Sequence, residues 1–392
     1  MLTRILQASA QVALPGSRQF SSTTRVLGRA VVYAQNGDPT KVLRVISYPD
    51  LPAPEPSSLN IKFLLSPINP ADINVIEGVY PSKPTKSNNL TQDGLGSKSE
   101  PVFVAGNEGL AQVTAVGAGV SNLSVGDWVI MTKQQAGTWA TDRNVKAEDV
   151  LKVPDAESLT EAQAATLTVN PPTAYNMLTN FVDLKPGDWV IQNGANSAVG
   201  QAVIQIAAAR GLNTINLVRE RPDFEVLESK LKEIGATHVL TYNQLSDKAV
   251  RERIKTWTGG KPIRLGLNCV GGEYTTAMAK LLGSNAHLVS YGAMAKQPLS
   301  IPISLFIFKD LTCHGFWQSR WYIKKPAAER EQLMKNLVSL MKEKKLDTPE
   351  HEIVTVSAEE GNEEASRRVQ QLMQAMTEGR YGKKVLLKIE DN

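Results

Sequence analysis

The sequence predicts an α/β fold in which a doubly wound parallel sheet is joined to a smaller, partly antiparallel β-unit. Three observations carry this reading. The run Asp188-Trp-Val-Ile-Gln-Asn-Gly-Ala-Asn-Ser-Ala-Val-Gly200, followed by the apolar stretch Gln201 to Ala209, reads as a buried strand, a thin turn and a close-packed helix. Strand and helix patterns then alternate, as repeated units of a parallel sheet do. The chain before this run instead holds short alternating strands broken by Pro and Gly.

At 392 residues the chain has room for two domains and a large core. Its first segment, residues 1–37, lacks Asp and Glu and carries Arg4, Arg18, Arg25 and Arg29 around Ser21-Ser-Thr-Thr24. This is the composition of a mitochondrial transit peptide, assigned to residues 1–25; a plain tail is the other reading. Losing Arg4, Arg18 and Arg25 would take the basic count from 43 to 40, against 39 acidic residues. A nearly neutral mature chain argues against general nucleic-acid binding. No run reaches the roughly 18 apolar residues that a membrane span requires. Two cysteines, Cys269 and Cys313, allow neither a disulfide framework nor a four-cysteine zinc lobe.

From Arg29 onward the pattern turns to strands at 30–33, 43–46 and 59–65, with Pro49, Pro52, Pro54 and Pro56 excluding helix between them. Further strands are expected at 109–116 and 128–131, separated by turns at Gly117, Gly119, Gly126 and Asp127. This reads as a β-domain of the small-barrel kind. Residues 82–99 are polar and aperiodic, a long mobile loop or insertion.

In the second half, strands are expected at 214–218, 237–242, 264–270 and 286–291, with helices near 223–234, 247–258 and 273–282. The turn between Gly194 and Gly200 suits a dinucleotide pyrophosphate, which is held by free backbone N–H groups at a helix start, and an ordinary strand-helix packing turn is the other reading. Ala198 stands where a middle glycine is often found. The next strand ends in Arg219-Glu220-Arg221, about twenty residues on, where the adenosine ribose is expected. Two guanidiniums flanking Glu220 suit a 2′-phosphate, and a solvated charge cluster is the bland alternative. Gly271-Gly272 and Tyr291-Gly-Ala-Met294 end the later strands and are candidate cofactor contacts. The stretch Leu305 to Trp317 is apolar enough for a core strand or one buried between subunits, and Trp317 reads equally as core packing or a substrate wall. Helices over 327–344 and 362–376 and a last strand at 383–389 complete the chain.

Ser66-Pro-Ile-Asn-Pro-Ala-Asp72, Gly106-Asn-Glu-Gly109, Val125-Gly-Asp-Trp-Val129 and Gly137-Thr-Trp139 resemble landmarks of the medium-chain dehydrogenase/reductases. The zinc-dependent alcohol dehydrogenases of that superfamily carry a metal-binding His within Gly-His-Glu, where this chain has Asn107. No cysteine precedes Cys269, and His238, His287, His314 and His351 lie far from these segments, so no metal site is expected. More specific stretches are Asp72 to Tyr80, Thr168-Val-Asn-Pro171, Thr173-Ala-Tyr175, Val190 to Gln201, Asn268-Cys-Val-Gly-Gly272, Tyr291 to Met294 and Lys309 to Trp317. Together they resemble the mitochondrial trans-2-enoyl thioester reductases, with the longer 82–99 loop of the fungal members.

The resemblance implies a GroES-like, partly open β-barrel catalytic domain over 26–171 and 321–392 and an NADPH-binding Rossmann domain over 172–320. It implies transfer of hydride from NADPH to the β-carbon of a trans-2-enoyl thioester on acyl-carrier protein or CoA. Tyr80 would then give the α-carbon its proton; a phenol, with reference pKa about 10, is protonated at neutral pH. Without the resemblance, Tyr80 reads as an exposed loop tyrosine. Asn170 is implied at the cofactor ribose or nicotinamide, and Asn196, Ser197, Ala198 and Val199 at the pyrophosphate. Arg219, Glu220 and Arg221 would surround the adenosine phosphate. Tyr291, Gly292, Ala293 and Met294 with Phe316, Trp317 and Gln318 would border the nicotinamide, and Lys383 would reach back from the last strand. A homodimer in the mitochondrial matrix is expected. A zinc-free quinone reductase and a cofactor-binding regulator without turnover are the competing readings.

Overall fold

The computed structural model describes residues 27–392, so the transit-peptide assignment lies outside the described residues. The first strands are β1 (Gly28–Tyr33), β2 (Arg44–Tyr48), β3 (Ser58–Pro67), β4 (Phe103–Val104), β5 (Leu110–Val116), β6 (Trp128–Met131), β7 (Asp142–Lys146) and β8 (Val150–Lys152). Next come β9 (Trp189–Asn193), β10 (Asn213–Val218), β11 (His238–Thr241), β12 (Ile263–Asn268), β13 (His287–Ser290) and β14 (Thr312–Gly315), then β15 (His351–Val356) and β16 (Lys384–Ile389).

Strands β9 to β14 form one parallel sheet in the order β11-β10-β9-β12-β13-β14, the doubly wound arrangement that was expected. Helices cover both faces, so its inner strands must be apolar on both sides. Val190, Ile191, Ile215, Leu217, Leu265 and Leu267 are fully enclosed, each contributing about 1.5–3 kcal/mol by leaving water. Polar residues enter as well, and Gln192, Asn193, Asn216 and Asn268 are also buried. They are paired: Gln192 donates to Asn216 (2.8 Å) and to the Gly200 carbonyl (2.9 Å), and Asn193 donates to Asn268 (2.9 Å). Unpaired, each such group would cost about 1–3 kcal/mol. The network therefore braces the strand tips from which the cofactor loops leave.

The β-unit is a seven-stranded sheet, β15-β16-β3-β5-β6-β8 with β7 also on β3, beside a three-stranded sheet β2-β1-β4. Residues 82–99 lack regular elements, as expected, but Leu90 and Leu95 anchor them against the cluster of Val32, Tyr48 and Val104. Leu65, Leu110 and Ile130 of the β-unit share one core cluster with Val190 and Val203 of the parallel-sheet unit and with Leu333 and Leu337 of helix Ala327–Lys342. The two units are thus packed into each other through a shared core. Helix Asn170–Thr179, absent from the strand-and-helix reading, starts on Pro171 and Pro172, whose missing N–H groups would have had no partner in a first turn.

The stretch Leu305 to Trp317 differs from expectation. It is not one strand but a short helix, Ile303–Lys309, a turn at Asp310 with φ 50°, and the edge strand β14. Leu305 and Leu311 fill the core, while Ile303 (75%), Ile307 (64%) and Phe308 (79%) stand exposed. The Lys309 ammonium donates to the carbonyls of Lys280 and Leu282. Among the described residues no helix is long and apolar enough to cross a membrane.

Candidate active site

The turn after β9 is built for close approach. Gly194 has φ +63°, and a Cβ there would lie 2.4 Å from Cys269 Sγ. A Cβ at Gly200 would lie 2.5 Å from the Ala195 carbonyl oxygen, so the helix Ala198–Ala209 can sit this near the turn only with glycine. Ser197 caps the helix by accepting from Gly200 N–H (3.1 Å), and Asn196 beside it is exposed. The other first-turn N–H groups and the helix dipole are left for an anion at Asn196, Ser197, Ala198 and Val199. Gly200→Ala is expected to weaken dinucleotide binding by roughly tenfold, about 1.4 kcal/mol, by pushing the helix off the turn. A fluorescence titration showing unchanged affinity would contradict this role.

At the end of β10, Glu220 accepts from the Asn243 amide and so is already engaged. Arg221 forms a two-pronged pair with Asp223, which holds that carboxyl below its usual range. Arg219 is exposed at the same strand end, and nearby the Tyr242 hydroxyl accepts from Gly194 N–H (2.9 Å). Lys383 is exposed and paired with Glu350 (2.6 Å), which also holds Lys230. Because side chains alternate along a strand, its neighbour Lys384 is the one turned inward, lining a cavity with Asn170, Ala198, Ala202 and Thr348.

On the other side of the cleft the chain brings Tyr80 to Trp317. Helix Pro70–Glu77 ends at Gly78 in the left-handed region (φ 82°), and Asn74 O accepts from both Val79 N–H and Tyr80 N–H. This turns the half-buried Tyr80 ring toward Trp317, edge-on at 77° with centroids 5.9 Å apart. Trp317 Nε1 donates to Tyr80 Oη at 2.8 Å. An indole N–H can only donate, so the Tyr80 hydrogen is not used in this contact and remains available to a third group. Burial pushes the Tyr80 pKa up, with Trp317 opposing it by stabilising the phenolate. Tyr80 is thus half-buried, and Trp317 is hydrogen-bonded as well as packed.

Trp317 is held in turn. Gln318, at the start of helix Gln318–Lys324, accepts from Asn176 (3.0 Å) of the helix that begins at Asn170. Phe316 N–H pairs with Ser290 O (2.9 Å) at the end of β13, beside Tyr291. The Tyr291 hydroxyl is sealed without a partner, close to Cys269 and Ser197, and its pKa is driven up by that burial. Gly292 lies against Cys269, since a Cβ there would be 3.2 Å from the Cys269 carbonyl oxygen. Ala293 and Met294 continue outward, with Met294 62% exposed at the rim. Asn107 is occupied in accepting from Gln135 N–H (2.7 Å), and among the described residues no group of three or more His, Cys, Asp or Glu could hold a metal ion. Asn176 and Lys384 were not singled out in the sequence, and Asn69 and Glu108 entered only within the landmark stretches Ser66 to Asp72 and Gly106 to Gly109, with no role assigned.

A doubly wound parallel sheet packed on a GroES-like β-unit is the architecture of a medium-chain dehydrogenase/reductase. Residues 198–339 match the family model described as zinc-binding dehydrogenase, and residues 55–155 that of the alcohol dehydrogenase GroES-like domain. A mitochondrial enoyl-acyl-carrier-protein reductase from Yarrowia lipolytica is 45% identical over 348 residues, 89% of each chain. A solved structure of Etr1p with NADP and crotonyl-CoA is similar with TM-score 0.85 at 37% identity, covering 92% of this chain and 99% of that one. The Etr1p/Etr2p heterodimer of the mitochondrial 2-enoyl thioester reductase from Candida tropicalis is similar with TM-score 0.83, 37% identity and the same coverage. The chain belongs to the mitochondrial enoyl-acyl-carrier-protein reductase family.

Proposed function

We propose that this chain reduces trans-2-enoyl thioesters, carried on acyl-carrier protein or CoA, to saturated acyl thioesters with NADPH in the mitochondrial matrix. The observation that carries it is the Trp317 to Tyr80 bond, which leaves a protonated phenol free to donate across the cleft from the dinucleotide cradle. NADPH, when bound, supplies the hydride that reaches the β-carbon. The residues fit it: the Gly194 and Gly200 cradle and the Ala198 helix start suit a pyrophosphate, and the sealed, unpartnered Tyr291 hydroxyl lies beside it. Tyr80 transfers its proton to the α-carbon of the resulting enolate, and Trp317 N–H holds the phenolate until water restores it.

The test is NADPH oxidation by the purified mature protein with trans-2-enoyl-CoAs of several chain lengths. Turnover of quinones without turnover of any enoyl thioester would transfer the chain to the quinone-reductase reading. NADPH binding with no turnover would favour the regulator.

The proposed assembly is a homodimer through β14 and the helix Ile303–Lys309. β14 is the outer strand of its sheet, and an open edge beside exposed Ile303, Ile307 and Phe308 invites pairing. Two copies about a two-fold axis would close both edges. Sedimentation at micromolar concentration is expected to give about twice the chain mass, and Ile307→Asp to give about one. A wild-type monomer removes the proposal, and a dimer indifferent to Ile307→Asp is joined elsewhere.

A further inference from the structure

Beneath the cleft lies a set of buried polar groups that the proton transfer does not use. Lys384, at the start of β16, donates from Nζ to Ile68 O (2.9 Å) and to Asn69 Oδ1 (2.5 Å). Asn69 Nδ2 donates to Glu108 Oε2 (2.9 Å), and Glu108 Oε1 accepts from the N–H groups of Thr168 (3.0 Å) and Val169 (2.8 Å). Asn170 Nδ2 donates to Asn69 Oδ1 (3.3 Å). Asp72 closes the set by accepting from Asn69 N–H (2.7 Å). Asn69, Asp72, Glu108 and Asn170 are all less than a tenth exposed.

Chemistry leaves this network one arrangement. An ammonium only donates, so the Asn69 atom beside Lys384 is its oxygen. The Asn69 NH2 then faces Glu108, whose other oxygen is already occupied as an acceptor. The Asn170 atom on Asn69 Oδ1 must therefore be NH2, and the Asn170 oxygen is the end left over. Among the described residues nothing donates to that oxygen, and Asn170 lines the cavity that also holds Ala198 and Lys384. We propose that Lys384 is a positioning residue: through Asn69 it fixes the Asn170 amide with its oxygen presented to the cofactor, as acceptor for a hydroxyl or amide N–H of the nicotinamide half. This rests on the reading of the cleft as the NADPH site. An apolar side chain at 384 removes one of the two groups that hold Asn69 and leaves the Glu108 carboxylate alone to keep the Asn69 oxygen turned to Asn170. Burial lowers the Lys384 pKa, while Glu108 and Asp72 oppose that and favour the charged form.

The test is a double-mutant cycle on the full mature chain, reading NADPH Kd by nucleotide fluorescence without thioester. Lys384→Met is expected to raise Kd about tenfold, the size of one lost charge-assisted hydrogen bond, with kcat at saturating substrates within about threefold. In an Asn170→Ala background the same change is expected to move Kd by less than about twofold. A tenfold loss in both backgrounds, or none in either, overturns the proposal. If Lys384→Met does not fold, Lys384→Gln retains a donor for Asn69 without the charge; its smaller loss must likewise vanish with Asn170→Ala, and a loss that persists overturns the proposal. Wild-type NADPH binding without enoyl turnover would sink the functional reading alone, whereas additivity in the cycle would sink only this one.

Discussion

Replacing Tyr80 with Phe is expected to lower kcat on enoyl thioesters by about 10²–10⁴-fold, the usual weight of a general acid. The ring and its edge-on contact with Trp317 survive the change, while the acceptor for the indole N–H and the proton are lost. NADPH affinity should change little, because Tyr80 sits on the β-unit, across the cleft from the turn at Gly194. The same geometry sets a pH signature. Burial raises the Tyr80 pKa, so the phenol stays protonated through neutral pH and the activity it supplies is lost only above the ordinary tyrosine range of about 10. Kinetics at saturating NADPH and enoyl-CoA decide the matter: an unchanged kcat removes Tyr80 from the chemistry.

Replacing both Arg219 and Arg221 with Ala is expected to raise the KM for NADPH by about 100-fold and leave that for NADH within about twofold. Two charge-assisted bonds to a 2′-phosphate account for that size, at roughly 1.5 kcal/mol each. The two residues are not equivalent. Arg221 must give up its fork on Asp223 before it can take a phosphate, whereas among the described residues Arg219 forms no such pair. Arg219→Ala alone should therefore cost more than Arg221→Ala alone. Glu220, the residue that would favour a ribose hydroxyl, is engaged by Asn243, which reinforces the choice of NADPH. Steady-state comparison of the two cofactors tests this; equal losses for both would make the arginines structural and return Glu220 to the centre.

Much of the parallel sheet was legible because burial on both faces demands continuous apolar runs, and Val190, Ile191, Leu265 and Leu267 supply them. The glycine turn was legible for a related reason: its thinness is a local steric demand that Gly194 and Gly200 meet within a few residues. The stretch Leu305 to Lys309 was misread because five residues of high apolarity do not separate strand from helix. Its exposed face depends on what packs against it, and here only Leu305 and Leu311 find the core.

By itself, then, the amino-acid order determined most elements of the parallel sheet, the thin turn after β9 and the identity of the chemical groups, since each depends on backbone geometry and side-chain chemistry over a short span. Contacts between distant segments were decided only by the tertiary structure. Tyr80 meets Trp317 across 237 positions, and Asn69 joins Lys384 across 315. No periodicity encodes such pairs, because they form when two separately specified surfaces close on each other. The strand pleat likewise decided between Lys383 and Lys384, adjacent in sequence and opposite in direction: one is left to Glu350 at the surface, and the other is carried into the buried network beneath Asn170.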